Sequence, residues 1–343
     1  MTNNMIYLTN EDLTKCGLLD YEKIVLDVKR ALIDHFEKKT FSKKIAIDLQ
    51  YGHKFDSLIS TNGDFSSCKW LGANTKNVEM GLQRSFPLII LNDKNTGMPL
   101  ALMEASLISA LRTGSYVALG LEKLAKEESE IVFIGSGVIA KATAAVVLSY
   151  PPAREKIKSI AIYSRKEENM KKFVKDVEEN LNFKIKLVSN IDEALSKADV
   201  SVSLNNSSQI IVNMDNVRKD STHIHLGGQD DDLDYIEYCA KNGKIICDDW
   251  EFIKKRNIQC LAFAYDKKKI HDRDIYAENL AELFLGTKNG READEPIYFN
   301  AVGLPELDLY VASTLYKNAI SSEKQIGLSF EISKNSHWIL NSH

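Results

Sequence analysis

Between Glu130 and Asp249 the sequence alternates short apolar runs with amphipathic segments, and this alternation constrains the fold more than any other feature. Runs such as EIVFI, KSIAIY, KIKLVS, DVSVSL, THIHL and KIIC have the character of buried strands, and segments such as VIAKATAAVVLSY and KEENMKKFVKDVEENL have helical character. Strands that alternate with helices over short connections predict βαβ units and a doubly wound parallel sheet. We therefore predict an α/β fold for this part of the chain.

The first 125 residues have a different pattern. The stretch TNEDLTKCGLLDYEKIVLDVKRALIDHFEKKT predicts an opening amphipathic helix, KIAIDLQY, CKWLGANT and FPLIILND predict strands, and MEASLISALRTGSYVALGLEKLA predicts another helix. Because these strands and helices are mixed without alternating, they predict an α+β domain. A chain of 343 residues is long enough for two cores, so we expect two domains.

Charge and composition exclude several classes of partner. The net charge is −4, Lys and Arg do not form a dense block, and no apolar run reaches the roughly 18 residues of a membrane span. We therefore expect no nucleic-acid partner, no membrane, and a small molecule as the ligand. The N-terminus lacks a basic region followed by an apolar one, which predicts a cytoplasmic protein.

Residue types that bind metals do not form a recognisable site. The five cysteines are scattered without CxxC spacing, which predicts reduced thiols and neither a disulfide framework nor a zinc site. His223 and His225 alternate along a predicted strand, so both side chains lie on one face of it. We interpret them as a polar pair at the end of the strand, with a pair of metal ligands as the alternative, and we expect no metal.

The segment FIGSGVIAKA contains the clearest binding motif. Gly135, Gly137 and Ala140 form GxGxxA directly after an apolar strand, at the start of a helix that includes Val138 and Ile139. Such a turn brings backbone N–H groups and the positive end of the helix dipole to a pyrophosphate, so it predicts a Rossmann-type dinucleotide site. A plain strand-turn-helix connection is the alternative interpretation.

The end of the second predicted strand bears on the choice of cofactor. NAD sites commonly have an acidic residue there, whereas this strand ends in Ser164, Arg165 and Lys166. A hydroxyl group and two cations suit the 2′-phosphate that distinguishes NADP(H) from NAD(H), so we expect NAD(P)(H) with a preference for NADP(H). The alternative is that both cations simply begin a solvated helix. Asn205, after the strand DVSVSL, lies either beside the nicotinamide ribose or in an ordinary polar turn.

Two longer segments resemble the ornithine cyclodeaminase and mu-crystallin family. They are KWLGANTKN and LIILNDKNTGMPLALMEASLISALRTGSYVALGLEKLA, and GSGVIAKA follows them at the family's spacing. The resemblance is closer to the branch that contains N-(2-amino-2-carboxyethyl)-L-glutamate dehydrogenase, which makes 2,3-diaminopropionate in siderophore biosynthesis. The segments that carry this likeness are IILNDKNTGMPLALMEASLISALRT, CDDW and YAENLAELFLGTKNGREADEPIYFNAVGLPELD.

The resemblance covers most of the chain and implies its domain organisation. A Rossmann domain of residues 126–310 binds the dinucleotide. An α+β domain of residues 1–125 and 311–343 binds the substrate and forms a homodimer.

The resemblance also implies which residues bind an amino-acid carboxylate. Lys69 and Arg112 match the family's lysine and arginine, and an Arg fork beside a Lys point charge suits a carboxylate. Lys43 or Lys44 could supply a third cation, and Asp308 matches an acidic position that lines the cleft or caps the following helix. The alternatives are a surface strand lysine for Lys69 and an internal salt bridge for Arg112.

The loop HLGGQDDD bears on the reaction. In cyclodeaminases an aspartate in a GGD motif assists proton movement, and Gln229 falls at that place here. Because glutamine cannot accept and return a proton, this departure argues against cyclodeamination. Asp230 could take over the role, or it could cap the helix that follows.

Together these features predict an NAD(P)-dependent enzyme that acts on the C–N bond of an amino-acid-derived amine or imine. The expected reaction is oxidation of an N-substituted amino acid, such as N-(2-amino-2-carboxyethyl)-L-glutamate, to 2,3-diaminopropionate and a 2-oxo acid. The alternatives are a ketimine reductase, an ornithine cyclodeaminase and a cofactor-binding protein without catalysis. Lys69 and Arg112 argue against the last, because cofactor binding alone needs no carboxylate clamp.

Overall fold

A computed structural model describes residues 4–49 and 52–332 of the chain. The backbone divides into two compact units, each built on one seven-stranded sheet. The first unit contains Met1–Asp20, Lys38–Ser109 and Pro305–His343, and the second contains Tyr21–Glu37 and Ala110–Leu304. The domain boundaries at 125/126 and 310/311 stay a prediction. Residues 50–51 of a predicted strand and 333–343 of the predicted first domain lie outside the described residues.

The first unit has a mostly antiparallel sheet. Its strands are β1 (Asn4–Leu8), β2 (Phe41–Asp48), β3 (His53–Thr61), β4 (Phe65–Asn74), β5 (Ser85–Asp93), β6 (Pro99–Glu104) and β14 (Leu328–Glu331). They lie in the order β14-β1-β6-β5-β4-β3-β2, with β1 and β6 parallel and the other pairs antiparallel. The unit also contains α1 (Asn10–Lys15), a 3-10 helix (Thr75–Met80) and α12 (Pro305–Ser321). This mixture is the predicted α+β pattern.

The two faces of this sheet differ in what covers them. Side chains alternate along the strands, so the paired residues Leu58, Lys69 and Ile89 share the face that packs against α12, and all three are buried. The opposite face carries large apolar side chains that are exposed in the single chain: Ile45, Ile47, Phe55, Ile59, Trp70, Phe86 and Ile90. A continuous exposed apolar face of this kind marks an interaction surface.

The predicted opening helix is divided in two. α1 begins after Thr9, which forms a capping box with Asp12, and it ends at Lys15. Gly17 then has a φ of +96°, a backbone conformation that is strained for any residue with a Cβ atom. The next helix, α2 (Tyr21–Phe36), begins after this turn. The prediction of one helix was wrong because the amphipathic pattern continues across the turn at this glycine.

The second unit has a parallel sheet. Its strands are β7 (Ser129–Ile134), β8 (Ile157–Tyr163), β9 (Ile185–Leu187), β10 (Val200–Ser203), β11 (Thr222–His225), β12 (Lys244–Cys247) and β13 (Ile297–Asn300). They lie in the order β12-β13-β11-β10-β7-β8-β9, and the neighbours pair in parallel. The predicted doubly wound α/β fold is confirmed. Strand β13, which lies between β11 and β12, was not predicted.

Most connections between the strands of this second sheet contain helices. Their bounds are α3 (Ser106–Leu124), which enters the unit at Ala110, α4 (Val138–Ser149), α5 (Pro151–Arg154), α6 (Glu167–Leu181), α7 (Ile191–Lys197), α8 (Leu233–Asn242), α9 (Trp250–Arg256), α10 (Cys260–Asp266) and α11 (Ala281–Leu285). A 3-10 helix lies at Asp272–Asp274. Within the described part of the chain, no helix is long and apolar enough to cross a membrane.

The strand order creates one place where the direction of winding reverses. From β7 the chain continues to β8 and β9 on one side, and it then returns to β10 on the other side of β7. The carboxyl ends of β7 and β10 therefore flank a crevice, which is where open α/β sheets bind their ligands.

Candidate cofactor and substrate sites

The turn after β7 has a geometry that only glycine can adopt without strain. Gly135 has a φ of +119°, and its N–H donates to the Tyr163 carbonyl at 2.8 Å. A Cβ atom at Gly135 would lie 2.7 Å from the carbonyl oxygen of Leu204, at the end of β10. The first glycine of GxGxxA therefore lets the turn pass close to the neighbouring strand.

The second glycine of the motif faces open space. Gly137 is the N-cap residue of α4 and makes no side-chain cap, and a Cβ atom built on it meets no atom within 4 Å. Val138 is exposed, Ile139 is partly buried, and Ala140 is fully buried where α4 packs. The start of α4 thus has free N–H groups and room in front of them, which fits the pyrophosphate of a dinucleotide.

The end of β8 carries the residues expected to select the cofactor. Ser164 is partly buried, and its N–H donates to the sulfur of Met170 at 3.0 Å. Arg165 and Lys166 are exposed, and among the described residues neither forms an ion pair. Both cations are therefore available to an anionic ligand, and the alternative of a solvated helix start also fits, since Lys166 is the N-cap of α6.

The residues after β10 connect the crevice to a buried carboxyl group. The Leu204 N–H donates to the Ile134 carbonyl at 2.8 Å, which holds this segment beside the glycine turn. Asn205 accepts the Ser207 N–H at 2.6 Å and donates its own Nδ2 to Asp230 Oδ2 at 2.7 Å. Asn205 therefore forms the polar turn and also orients an acidic side chain.

Asp230 is buried next to the crevice. Ser203 Oγ donates to its Oδ2 at 2.8 Å, beside the bond from Asn205. Burial raises the pKa of the Asp230 carboxyl and the charge of Asp231 raises it further, while His225 and the two hydrogen bonds oppose the rise without cancelling it. A carboxyl group with a raised pKa at a ligand crevice is suited to accept and return a proton.

The neighbours of Asp230 in the loop have other environments. Gln229 is exposed, and its backbone N–H donates to the Ser207 carbonyl at 2.8 Å. The N-cap of α8 is Asp232, whose side chain accepts from the Asp234 N–H. The capping interpretation of Asp230 was therefore wrong, because the helix begins later than the sequence suggested.

A second buried carboxylate lies on the other side of this loop. Asp231 Oδ2 is 3.1 Å from His223 Nε2 and 2.7 Å from His225 Nδ1, and it accepts the Tyr298 hydroxyl at 2.7 Å. Burial alone would raise the pKa of Asp231, but the two imidazoles outweigh burial and hold this pKa well below its usual range. The two histidines are thus part of a buried network, which the strand-end interpretation missed.

Lys69 and Asp308 form a buried pair in the first unit. Lys69 Nζ lies 2.5 Å from Asp308 Oδ2 and 3.3 Å from Ser109 Oγ, and both charged side chains are almost inaccessible to solvent. The interpretation of Lys69 as a surface lysine was therefore wrong. The helix-cap interpretation of Asp308 was also wrong, because α12 begins at Pro305 and Asp308 lies within its first turn.

The two upstream lysines point to opposite faces of the sheet. Lys43 is exposed, whereas Lys44 is partly buried with its Nζ 3.0 Å from Asp56 Oδ2. Lys54 approaches the same oxygen at 3.1 Å. Burial would raise the pKa of Asp56, but the two lysines lower it below its usual value. Of the two candidates, Lys44 is thus on the same side as Lys69, and it is engaged with a carboxylate.

Arg112 lies on α3 in the second unit, where a glycine makes room for it. Gly303 has a φ of +85°, and a Cβ atom there would lie 2.6 Å from Arg112 Nη1. Asp248 of the CDDW segment accepts the Gly303 N–H at 2.8 Å and the Tyr116 hydroxyl at 2.9 Å. Asp248 therefore fixes the backbone that contacts the guanidinium group, and sequence reasoning gave neither Asp248 nor Tyr116 a role.

A model of the ornithine cyclodeaminase/mu-crystallin family matches residues 50–323. The chain belongs to this family. An alanine dehydrogenase of Archaeoglobus fulgidus is 32% identical over 269 residues, 77% of this chain and 79% of that protein. The N-((2S)-2-amino-2-carboxyethyl)-L-glutamate dehydrogenase of Staphylococcus aureus is 26% identical over 349 residues, 97% of this chain and 100% of that protein.

Two solved structures have a similar fold. A Delta(1)-pyrroline-2-carboxylate reductase of Thermococcus litoralis, in complex with NADH and L-proline, matches with a TM-score of 0.81 and 26% identity over 92% of this chain and 98% of that chain. An archaeal alanine dehydrogenase dimer with bound NAD matches with a TM-score of 0.84 and 26% identity over 96% of this chain and 100% of that chain. These relatives are dehydrogenases and reductases, and the chain is an enzyme of this type within the ornithine cyclodeaminase family.

Proposed function

We propose that this enzyme uses NAD(P)+ to oxidise the C–N bond of an N-substituted amino acid, and that water then releases a 2-oxo acid and a free amine. The substrate to test first is N-(2-amino-2-carboxyethyl)-L-glutamate, which would give 2,3-diaminopropionate. The observation that carries this choice is the similarity to the Staphylococcus aureus dehydrogenase, which extends over both chains almost from end to end.

The reaction balances without a further co-reactant. A protonated secondary amine loses a proton from nitrogen and a hydride from Cα, which leaves a protonated imine. The nicotinamide, when bound, supplies the hydride acceptor. Water then adds to the imine carbon and the C–N bond breaks, so the carbon side leaves as a 2-oxo acid, the nitrogen side leaves as a primary ammonium ion, and one proton is released.

We assign the proton transfer to Asp230. Its carboxyl group is buried, and the hydrogen bonds from Ser203 and Asn205 both reach Oδ2. Among the described residues no group forms a hydrogen bond to Oδ1. Asp230 therefore has an oxygen atom for the proton of the substrate amine and a raised pKa that lets it hold this proton.

We assign the substrate carboxylate to Lys69 and Arg112. The buried contact with Asp308 holds the Lys69 ammonium group in one position, and Gly303 leaves space for the Arg112 guanidinium group. An Arg fork binds a carboxylate with two parallel hydrogen bonds, and a lysine adds a compact positive charge. Lys44 remains the better candidate for a third cation, since it shares the sheet face of Lys69.

We propose NADP(H) as the preferred cofactor. Support comes from the end of β8, where Ser164, Arg165 and Lys166 stand in place of an acidic residue. The two solved structures described above contain NADH and NAD, so the preference has to be measured.

We further propose a homodimer that forms through the exposed sheet face of the first unit. The large side chains on this face include Ile47, Trp70 and Phe86, and about half of the surface of each is exposed in the single chain. Burying such a face against a second copy removes apolar surface from water, which is the main driving force of obligate association.

Reduction of a ketimine is the second candidate function. It uses the same residues in reverse, with Asp230 donating the proton that it accepts in the oxidation. The observation that favours this direction is the cationic end of β8, since NADPH serves mainly as a reductant, together with the likeness to the pyrroline-2-carboxylate reductase.

The test is a pair of turnover assays on the purified enzyme. In one, N-(2-amino-2-carboxyethyl)-L-glutamate is mixed with NAD+ or NADP+, and formation of the reduced cofactor is followed by absorbance. In the other, pyrroline-2-carboxylate is mixed with NADH or NADPH. Oxidation in the first assay that is lost in Arg112→Ala supports the proposal. Turnover only in the second assay replaces it with ketimine reduction, and no turnover in either contradicts both.

A further inference from the structure

Asp248 is a buried acidic residue at which three elements of the second unit meet. It follows β12 directly, and its N–H donates to the Asn300 carbonyl at the end of β13 at 3.1 Å. Its Oδ2 accepts the Gly303 N–H at 2.8 Å and the Tyr116 hydroxyl of α3 at 2.9 Å. The Val302 N–H approaches both carboxylate oxygens, at 3.0 and 3.1 Å. A carboxylate only accepts hydrogen bonds, so donors on both of its oxygens suit it.

The backbone after β13 is fixed by side chains, although it belongs to no strand or helix. The Ala301 carbonyl accepts from Gln259 Nε2 at 3.2 Å, and the Val302 carbonyl accepts from Arg256 Nη1 at 2.8 Å. The N–H groups that follow are the ones that Asp248 accepts. Backbone polar groups away from water need partners, and here side chains supply them. The segment is therefore held in one conformation.

Gly303 is the point at which this segment meets Arg112. Its φ of +85° lies in the left-handed region, and a Cβ atom there would be 2.6 Å from Arg112 Nη1. The guanidinium group therefore packs against the bare backbone of the glycine. Because Asp248 accepts the Gly303 N–H, it determines how closely this backbone approaches Arg112.

Tyr116 connects the same carboxylate to the helix that carries Arg112. The two residues are four positions apart on α3, so they lie on one face of it. Burial and the charge of Asp248 raise the pKa of Tyr116 well above its usual value, while the charge of Arg112 opposes the rise. The hydroxyl therefore keeps its proton and donates a hydrogen bond to Asp248. Asp248 thus restrains Arg112 through its helix and through the glycine beside it.

We propose that Asp248 and Tyr116 are positioning residues, which hold the Arg112 guanidinium group in the orientation that binds the substrate carboxylate. This inference rests on the proposed function, in which Arg112 binds that carboxylate. A free arginine side chain has many rotamers, whereas two parallel hydrogen bonds to a carboxylate need one orientation. An arginine that is fixed in advance loses less entropy when the substrate binds. Substrate affinity therefore depends on Asp248 and Tyr116, although neither has to touch the substrate.

The competing interpretation is that Asp248 only completes the hydrogen bonds of the segment, so that its loss lowers stability and leaves Arg112 in place. The chain offers a matched control for each contact. Tyr150 is also a buried tyrosine whose hydroxyl donates to a carboxylate, that of Glu122, at 2.7 Å. Gly286 also has a positive φ, +74°, but a Cβ atom there would meet no atom within 4 Å.

The first test measures KM and kcat for the oxidation, and Kd for the cofactor. Tyr116→Phe should raise KM for the N-substituted amino acid about 3-fold to 10-fold, and Gly303→Ala about 10-fold or more, because a displaced arginine binds the carboxylate more weakly. The kcat should stay within about 3-fold, since the carboxylate is bound equally in the ground state and the transition state. The Kd for the cofactor should not change. Tyr150→Phe and Gly286→Ala should keep the wild-type KM even where Tm falls.

Wild-type KM values in both Tyr116→Phe and Gly303→Ala overturn the proposal, as do equal increases in the two controls. Asp248→Asn replaces an acceptor oxygen with a donor group. If this variant folds, adding Tyr116→Phe to it should raise KM by a smaller factor than in the wild type, because both changes break the same contact. An equal factor in both backgrounds would overturn the role of Asp248 as the link between Tyr116 and Arg112.

The second test does not need turnover. In nitrogen-15 NMR of the arginine-labelled enzyme without substrate, the Nε–H signal of Arg112 is identified by its absence in Arg112→Lys. This signal should move in Tyr116→Phe and in Gly303→Ala, and it should keep its position in both controls. An unmoved signal in both test variants overturns the proposal. A wild-type enzyme that is inactive on every substrate would contradict the proposed function, and the NMR signal would then decide whether Asp248 and Tyr116 position Arg112.

Discussion

The glycine turn allows one substitution to be tested at two neighbouring positions with opposite expectations. In Gly135→Ala the new Cβ atom would lie 2.7 Å from the Leu204 carbonyl oxygen and 2.9 Å from its carbon, in a backbone with a φ of +119°. The left-handed conformation and the displaced strand end together should cost about 2–5 kcal/mol. For a domain of this size that corresponds to a fall in Tm of roughly 5–15 °C.

In Gly137→Ala the new Cβ atom meets no protein atom within 4 Å, and φ is −78°. The stability should therefore change by no more than about 1 kcal/mol, since a weaker N-cap and a stiffer unfolded chain nearly cancel. The methyl group would instead block the approach of a pyrophosphate to the N–H groups of α4. Loss of one charge-assisted hydrogen bond should raise the Kd for the cofactor about 10-fold to 100-fold.

The assay measures Tm of the apoprotein and titrates NADPH and NADH by fluorescence for the wild type and both variants. A Gly137→Ala enzyme with wild-type Tm and weakened binding of both cofactors supports a dinucleotide at this turn. Wild-type affinity in that variant would refute the reasoning, because it would show that no ligand approaches Gly137. A stable Gly135→Ala variant would show that the contact with Leu204 is not restrictive.

Three further changes test other parts of the account. Arg165→Ala should raise the Kd for NADPH about 10-fold or more and leave the Kd for NADH unchanged. Equal effects on both Kd values would contradict the assignment of the NADPH 2′-phosphate to Arg165. Trp70→Glu should convert the dimer to a monomer in light scattering, whereas Leu187→Glu, an exposed apolar residue on β9, should not, and a persistent dimer in Trp70→Glu would place the interface elsewhere. Asp230→Asn should lower kcat/KM about 100-fold or more with an unchanged cofactor Kd, and an active variant would remove Asp230 from proton transfer.

The sequence predicted the second unit better than the first for a physical reason. Most of its strands are buried on both faces and read as continuous apolar runs with helices between them, so β7, β8, β10, β11 and β12 were all recognised. Strand β13 was missed because it follows a long irregular segment, and its pairing with β11 depends on contacts far apart in sequence. In the first unit, β3 was missed because its burial alternates weakly and one of its faces is exposed.

The site was predictable only where a local motif carries the chemistry. The glycines at 135 and 137 have roles that follow from the motif and its place after a strand. The network of His223, His225 and Asp231 was not predicted, because two alternating histidines on a strand do not indicate a carboxylate in the loop that follows it. Spacing in sequence does not reveal that Tyr298, on a strand far along the chain, completes this network.

The central claim is oxidation of a C–N bond followed by hydrolysis, and the most direct measurement follows the oxygen atom of water. The enzyme is incubated with N-(2-amino-2-carboxyethyl)-L-glutamate and NAD+ or NADP+ in water labelled with heavy oxygen, and the products are identified by mass spectrometry after rapid reduction of the keto group, which prevents exchange. We expect 2,3-diaminopropionate without label and a 2-oxo acid with one heavy oxygen atom, formed in equal amounts with the reduced cofactor. Reduced cofactor without these two products, or no reaction in an enzyme that binds the cofactor tightly, would contradict the claim.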